Sequence, residues 1–137
     1  MQFLIINGPN LNLTGTREPG QYGTTPFDTW LEQLRNEFQE HRIDYYQSNV
    51  EGELINRLHT AAGKYDGIIM NPGGYSHTSV ALADAIKAID TPVVEVHITN
   101  VHSREPFRHT LLTGAVSKGI ISGFGLDGYR LALLSFL

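Results

Sequence analysis

The sequence predicts a doubly wound α/β protein, a five-stranded parallel sheet in the order 2-1-3-4-5 with helices on both faces. Two observations lead there. Short apolar runs alternate with amphipathic stretches, five times along the chain, at the spacing of strand–helix units joined by right-handed crossovers. The 137 residues also hold no internal repeat, linker or low-complexity stretch, so one domain spanning 1–137 is expected.

Phe3 to Ile6 is an apolar run closed by Asn7-Gly8-Pro9, a buried strand leading into a loop. Residues 8–25 hold four glycines and two prolines, a long connection of the kind that is usually functional. Thr25 then caps a helix with Pro26 in its first turn, and Phe27, Trp30, Leu31, Leu34 and Phe38 form its inward face. Ile43 to Gln47 is the second strand. Val50, Leu54, Ile55, Leu58, Ala61 and Ala62 mark the second helix, and Gly67 to Asn71 the third strand. Thr78 is the expected cap of a third helix that turns Val80, Ala83, Ile86 and Ile89 inward. Pro92 to Ile98 is the fourth strand, Pro106 to Leu112 a short helix, Gly119 to Ser122 the fifth strand, and a last helix runs from about Asp127. This succession gives the flavodoxin-like strand order.

Composition removes whole classes of function. Hydrophobic residues make up 41% and charged residues 18%, ordinary for a globular protein. With no cysteine, thiolate metal sites, disulfide scaffolds and cysteine nucleophiles are excluded. A net charge of −4 and three lysines (Lys64, Lys87, Lys118) argue against nucleic acid as a partner. No apolar run approaches the ~20 residues of a membrane span. The opening Met1-Gln2-Phe3-Leu4 lacks the basic leader of a signal peptide, so a cytoplasmic location is expected, and the sequon Asn12-Leu13-Thr14 carries no weight there.

In open α/β sheets ligands bind beyond the carboxyl ends of the strands, near the point where strand order reverses. The polar residues expected there are Asn7, Asn10, Asn12 and Arg17 after the first strand, and Asn71, Tyr75, Ser76 and His77 after the third. His97, Thr99, Asn100, His102 and Arg104 follow at and after the fourth. Glu95 and His97 fall on one face of a strand. A carboxylate so placed holds one imidazole tautomer and favours its protonated form; a solvated pair at the strand's end fits the spacing as well. Asn71-Pro72-Gly73-Gly74 is either a tight turn or a set of backbone amides facing an anion, and Asp84, in the third helix, reads equally as a solvated acid.

Other motifs fail on context. Gly123-Phe124-Gly125-Leu126-Asp127-Gly128 matches a dinucleotide fingerprint, but nine residues remain after it, too few for a further strand and an acidic ribose partner. No G-x-S-x-G elbow and no P-loop occur, and His97 and His102 lack a zinc spacing. On the residues alone, a flavodoxin-like module binding a flavin or a phosphate stays open as the alternative to an enzyme.

Three long motifs point further. Ile6-Asn7-Gly8-Pro9-Asn10-Leu11-Asn12-Leu13, with Gly15-Thr16-Arg17-Glu18-Pro19 and Tyr22-Gly23, is the first. Asn71-Pro72-Gly73-Gly74, Ser76-His77-Thr78-Ser79-Val80-Ala81-Leu82 and Asp84 form the second, and Glu95-Val96-His97-Ile98-Thr99-Asn100-Val101-His102 with Arg104, Glu105, Phe107 and Arg108 the third. Together they resemble the signature of the type II dehydroquinases along nearly the whole chain. Thr14 stands where that family usually has leucine and Thr99 where it usually has serine. The resemblance implies a hydro-lyase that needs neither metal nor cofactor and eliminates water anti from 3-dehydroquinate through an enolate, giving 3-dehydroshikimate. It implies Tyr22 as the base, Arg17 as the residue that acidifies it, and Asn10 as the holder of a water against the enolate oxygen. His97, oriented by Glu95, is the implied acid. Asn71, His77, Asp84, Ile98, Thr99 and Arg108 form the implied substrate set, Arg104 a residue closing over the site, and the assembly a homododecamer.

Free tyrosine titrates near pH ~10, so ionising it at neutral pH costs about 4 kcal/mol. One guanidinium ~4 Å away, at an effective dielectric of ~20, supplies about that much, and arginine stays charged throughout. Arg17→Gln is therefore expected to be very slow at neutral pH and to recover partly in alkaline buffer, with about tenfold lost per unit rise of the tyrosine midpoint. Arg17→Lys rescues poorly, since an ammonium lacks the planar fork. The pH profile of kcat/KM is the check: an acid limb that stays put in Arg17→Gln removes the electrostatic role.

Overall fold

The computed structural model describes residues 1–16, 20 and 25–137. Its sheet consists of five parallel strands, β1 (Gln2–Asn7), β2 (Arg42–Gln47), β3 (Gly67–Asn71), β4 (Val93–His97) and β5 (Gly119–Ser122). Their order is β2-β1-β3-β4-β5, the flavodoxin-like order that the sequence predicts. The helices packed on it are α1 (Phe27–Glu37), α2 (Glu51–Ala61), α3 (Val80–Ala88) and α4 (Asp127–Leu134).

Two apolar layers follow from the alternation of side chains along each strand. Phe3 and Ile5 of β1, Ile69 of β3 and Val94 and Val96 of β4 pack against Leu31 and Leu34 of α1 and Ala132 and Leu133 of α4. The residues between them, Leu4, Ile6, Ile68, Met70 and Val93, pack against Leu54 and Leu58 of α2 and Leu82 and Ile86 of α3. A strand covered on both faces has no solvent side, so β3 and β4 are buried at every position and β1 at all but its first. By the same alternation Glu95 and His97 share the face of Val93, the α2–α3 face.

Helix starts depart from the sequence reading in detail. Thr25 does not cap α1: Pro26 occupies that position, and its carbonyl accepts from Trp30 N–H at 3.2 Å. Nor does Thr78 cap α3. A 3-10 turn over Gly73–His77 uses the Tyr75 carbonyl to bind the amides of both Thr78 and Ser79, which delays the helix by one residue. Ser79 takes the cap, its hydroxyl accepting from Leu82 N–H at 2.9 Å and donating to Glu51 Oε2 at 2.6 Å. Val80 consequently points outward, 64% exposed, and Val50 before α2 is exposed as well. The expected helix over 106–112 is a single 3-10 turn, Pro106–His109. No helix among the described residues is long and apolar enough to cross a membrane.

The exits of β1 and β3 meet backbone to backbone. Gly8 N–H donates to Asn71 O at 2.7 Å, and a Cβ on Gly8 would lie 2.4 Å from the Pro72 oxygen. Gly73 opposes it in the left-handed region, φ 62, with its would-be Cβ 3.1 Å from Pro9 O. Gly8→Ala therefore forces two backbone segments apart and is expected to lower stability by about 1–3 kcal/mol. Gly52 lies in α2 with open space around its would-be Cβ, so Gly52→Ala gains up to about 1 kcal/mol by helix propensity. Urea unfolding of the two variants checks this: shifts of the same sign would contradict the packing argument.

Candidate active site

At the carboxyl end of β4, Glu95 and His97 lie side by side, the ring Nε2 of His97 2.7 Å from Glu95 Oε2. Both are buried. The other carboxylate oxygen, Oε1, accepts a hydrogen bond from the hydroxyl of Thr113. With Nε2 committed to Glu95, the Nδ1 side of the ring is left for chemistry. The solvated-pair reading of these two residues is thereby overturned, because neither side chain is open to solvent. Met70 and Ile120 stand opposite Glu95 in the sheet register.

Above this pair lies a cavity of about 160 Å³ whose walls come from three loops. Pro9 and Asn10 follow β1, Gly73, Gly74 and His77 follow β3, and Ile98, Thr99, Arg104 and Arg108 follow β4. Asn10 adopts the left-handed conformation, φ 69, which asparagine tolerates better than most residues. Its backbone N–H donates to Asn49 Oδ1 at 3.0 Å.

His77 stacks near His97, ring centroids 6.1 Å apart at 26°. Its Nδ1 lies 3.0 Å from the Thr110 carbonyl, which can only accept, so Nδ1 carries the proton. Burial pushes the His77 imidazole below its ordinary range, against the contact with the Thr110 carbonyl; His97 and Arg108 add to the lowering. A neutral ring results, offering Nε2 as an acceptor.

Arg104 and Arg108 flank Glu105. Arg108 Nε donates to Glu105 Oε2 at 2.9 Å, while Arg104 Nε sits 3.8 Å from Oε1 and its Nη1 reaches Thr99 Oγ1 at 3.3 Å. The hydrogen bond from Arg108 holds the Glu105 carboxyl below the usual carboxylate range. Arg104 is folded down into the cavity wall, its side chain 13% exposed.

Asn71 is fixed by a buried network that sequence reasoning missed. Tyr129 of α4 is fully buried; its hydroxyl donates to Asn7 Oδ1 at 2.7 Å and accepts from Asn71 Nδ2 at 2.9 Å. Asn7 Nδ2 in turn donates to the Tyr45 hydroxyl at 3.3 Å, and Asn71 Oδ1 accepts from Gly73 N–H at 3.1 Å. Burial pushes the Tyr129 phenol far up, so it stays a neutral donor. Asn7, a polar candidate from the sequence, thus serves this network and does not line the cavity.

The structure gathers Asn10, Asn71, His77, His97, Ile98, Thr99, Arg104 and Arg108 around the cavity, with Glu95 beneath His97. It does not bring Asp84 there: that residue is exposed on α3 and lines no part of the cavity. Arg17 and Tyr22 lie outside the described residues. Two positions had no motif to mark them. Thr113 precedes β5 in an unremarkable stretch, and Tyr129 shows only its spacing with Leu133 on α4. The pairing of Asn7 with Asn71, two amides in register at the ends of neighbouring strands, was the available clue to the network. Among the described residues no group of three His, Asp or Glu side chains is gathered as a metal centre needs.

The site is thus a buried carboxylate–imidazole pair under a cavity walled by two guanidiniums, on a flavodoxin-like sheet. The chain belongs to the class II dehydroquinase family, whose model matches residues 1–137. It is 51% identical to the 3-dehydroquinate dehydratase of Anoxybacillus flavithermus, covering 100% of this chain and 94% of that protein. The 3-dehydroquinate dehydratase 2 of Pseudomonas putida is 47% identical over 98% of this chain and 91% of its own. Among solved structures, the type II dehydroquinase of Butyrivibrio crossotus superposes with a TM-score of 0.95 at 39% identity, covering 99% of this chain and 97% of that one.

Tyr129→Phe leaves Asn7 Oδ1 and Asn71 Nδ2 without their shared partner in a buried setting. A loss of about 1–3 kcal/mol is expected. Equilibrium unfolding of the variant measures it, and an unmoved midpoint would show that the network contributes nothing.

Proposed function

We propose that this chain dehydrates 3-dehydroquinate to 3-dehydroshikimate by anti elimination of water. The observation that carries the reading is the Glu95–His97 pair beneath a cavity lined by Arg104, Arg108 and neutral His77. Membership in the family and the names of its 3-dehydroquinate dehydratases support it.

In this reading the Tyr22 phenolate, made accessible by Arg17, takes the proton next to the substrate ketone. The electron pair of that C–H bond passes into an enolate, whose oxygen meets a water held by Asn10. Collapse of the enolate breaks the C–O bond on the opposite face. The departing hydroxyl takes a proton from the His97 imidazolium and leaves as water, and Tyr22 returns its proton to restore the pair. Glu95 stabilises the cationic ring before transfer. The carboxylate of the substrate finds the backbone at Ile98 and Thr99, and its hydroxyls find Asn71, His77 and Arg108. Arg104 acts as the closing residue. One catalytic domain, a cytoplasmic location, a homododecameric assembly and a place in the shikimate pathway or quinate breakdown belong to the same reading, supported by the family resemblance.

The product is a conjugated enone-carboxylate that absorbs in the ultraviolet where the substrate does not. Purified protein with 3-dehydroquinate is expected to give a rising trace; a flat one at high enzyme sinks the reading. Tyr22→Phe should abolish kcat with binding nearly intact, whereas Arg108→Ala should chiefly raise KM. If both lose only affinity, Tyr22 is not the base.

A further inference from the structure

The stretch that leads into β5 reaches one histidine of the cavity and the carboxylate that holds the other. Thr110 O binds Nδ1 of His77, and three residues on, the fully buried Thr113 places its hydroxyl on Glu95 Oε1. Several contacts pin this segment. Leu112 N–H donates to Ser76 O at 2.7 Å, Ala115 N–H to Leu111 O at 3.1 Å, and the Ser117 hydroxyl to Thr113 O at 2.9 Å. Gly114 follows at close quarters: a Cβ there would lie 2.6 Å from Ile120 Cδ1 and 3.0 Å from Leu111 Cβ. Thr113 is therefore held where its hydroxyl meets the oxygen that His97 leaves open.

A hydroxyl gives one proton, and which way it points decides where the proton of the Glu95–His97 pair rests. With Thr113 donating, both carboxylate oxygens are accepting, Oε1 from Thr113 and Oε2 from the ring, and the proton stays on the imidazole. Without that donor the buried carboxylate is the better place for the proton, and the ring is left neutral. The surroundings make this matter. Arg104 and Arg108 line the same cavity, and His77 stacks against His97 as a neutral ring. Met70 and Ile120, the partners of Glu95 on β3 and β5, are apolar and offer no compensation.

We propose that Thr113 is a positioning residue for the acid of the reaction: it holds Glu95 as a carboxylate and so keeps the shared proton on the His97 ring. The proposal rests on the reading of His97 as the acid. Thr113→Val removes the hydroxyl at nearly constant shape. Its kcat is expected to fall between about tenfold and a hundredfold, the worth of a hydrogen bond to a charged group, with KM little changed. Thr113→Ser, which keeps the donor, should recover most of the loss. In a Glu95→Gln background the same valine substitution should cost little more, since no carboxylate remains to take the proton from the ring.

A second readout needs no turnover. The ring nitrogen shifts of His97, followed by NMR against pH, should report a smaller imidazolium fraction in Thr113→Val than in wild type, restored in Thr113→Ser. If Thr113→Val does not fold, Thr113→Ala serves the same comparison. An unchanged His97 titration in a folded variant overturns the proposal, as does an undiminished loss of kcat in the Glu95→Gln background. Wild-type protein inactive on 3-dehydroquinate would instead sink the functional reading, and the ring titration would still decide the role of Thr113.

Discussion

A carboxylate buried in the middle of a parallel sheet must have hydrogen-bond donors on its oxygens, and Glu95 imposes that constraint on everything around it. The strand ladder cannot help, because its amides and carbonyls lie in the plane of the sheet while the side chain stands out from it. Donors have to come from a neighbour on the same strand face and from a loop folded over it. His97 is the first and Thr113 the second. Bringing Thr113 there requires the 110–113 stretch to cross the mouth of the β3–α3 turn, where Ser76 and His77 hold it. The geometry of the cavity's two histidines thus follows from satisfying one acid.

The opposite wall answers to a second polar cluster. β1 and β3 run side by side in register and end on asparagines, so two amides meet at the point where strand order reverses. Tyr129 reaches them from α4, on the face of the sheet opposite Glu95, which ties the last helix to the first strand. The glycine contact just beyond, Gly8 on Pro72, lets the two exits approach closely enough to form one wall. Packing, hydrogen bonding and sheet topology therefore converge on the same few ångströms.

Much of this was legible in the sequence because it depends on local signals. The strands at Gly67–Asn71 and Gly119–Ser122 and the helix start at Asp127 sit where apolar runs and turn residues mark them. Sheet order followed from counting strand–helix units, and the three motifs contain every described residue that now lines the cavity. The misses have a common cause in contacts between distant segments. Ser79 displaces Thr78 as a cap because a preceding 3-10 turn consumes both amides, a detail of turn geometry that residue type does not encode. Thr113 and Tyr129 serve partners 18 and 58 or more positions away, with nothing in their own neighbourhood to signal it. Asp84 went the other way: its motif marks it, yet its helix turns it to solvent.

Glu105, exposed beside the cavity, gives its two arginines a counter-ion. Its carboxylate already engages Arg108 and stands near Arg104, so neither guanidinium waits bare for an incoming anion. An anion that engages them enters by exchange, trading a new ion pair against one already made. Its net gain is the difference between the two, which leaves discrimination to shape and to the fixed acceptors and donors of the walls.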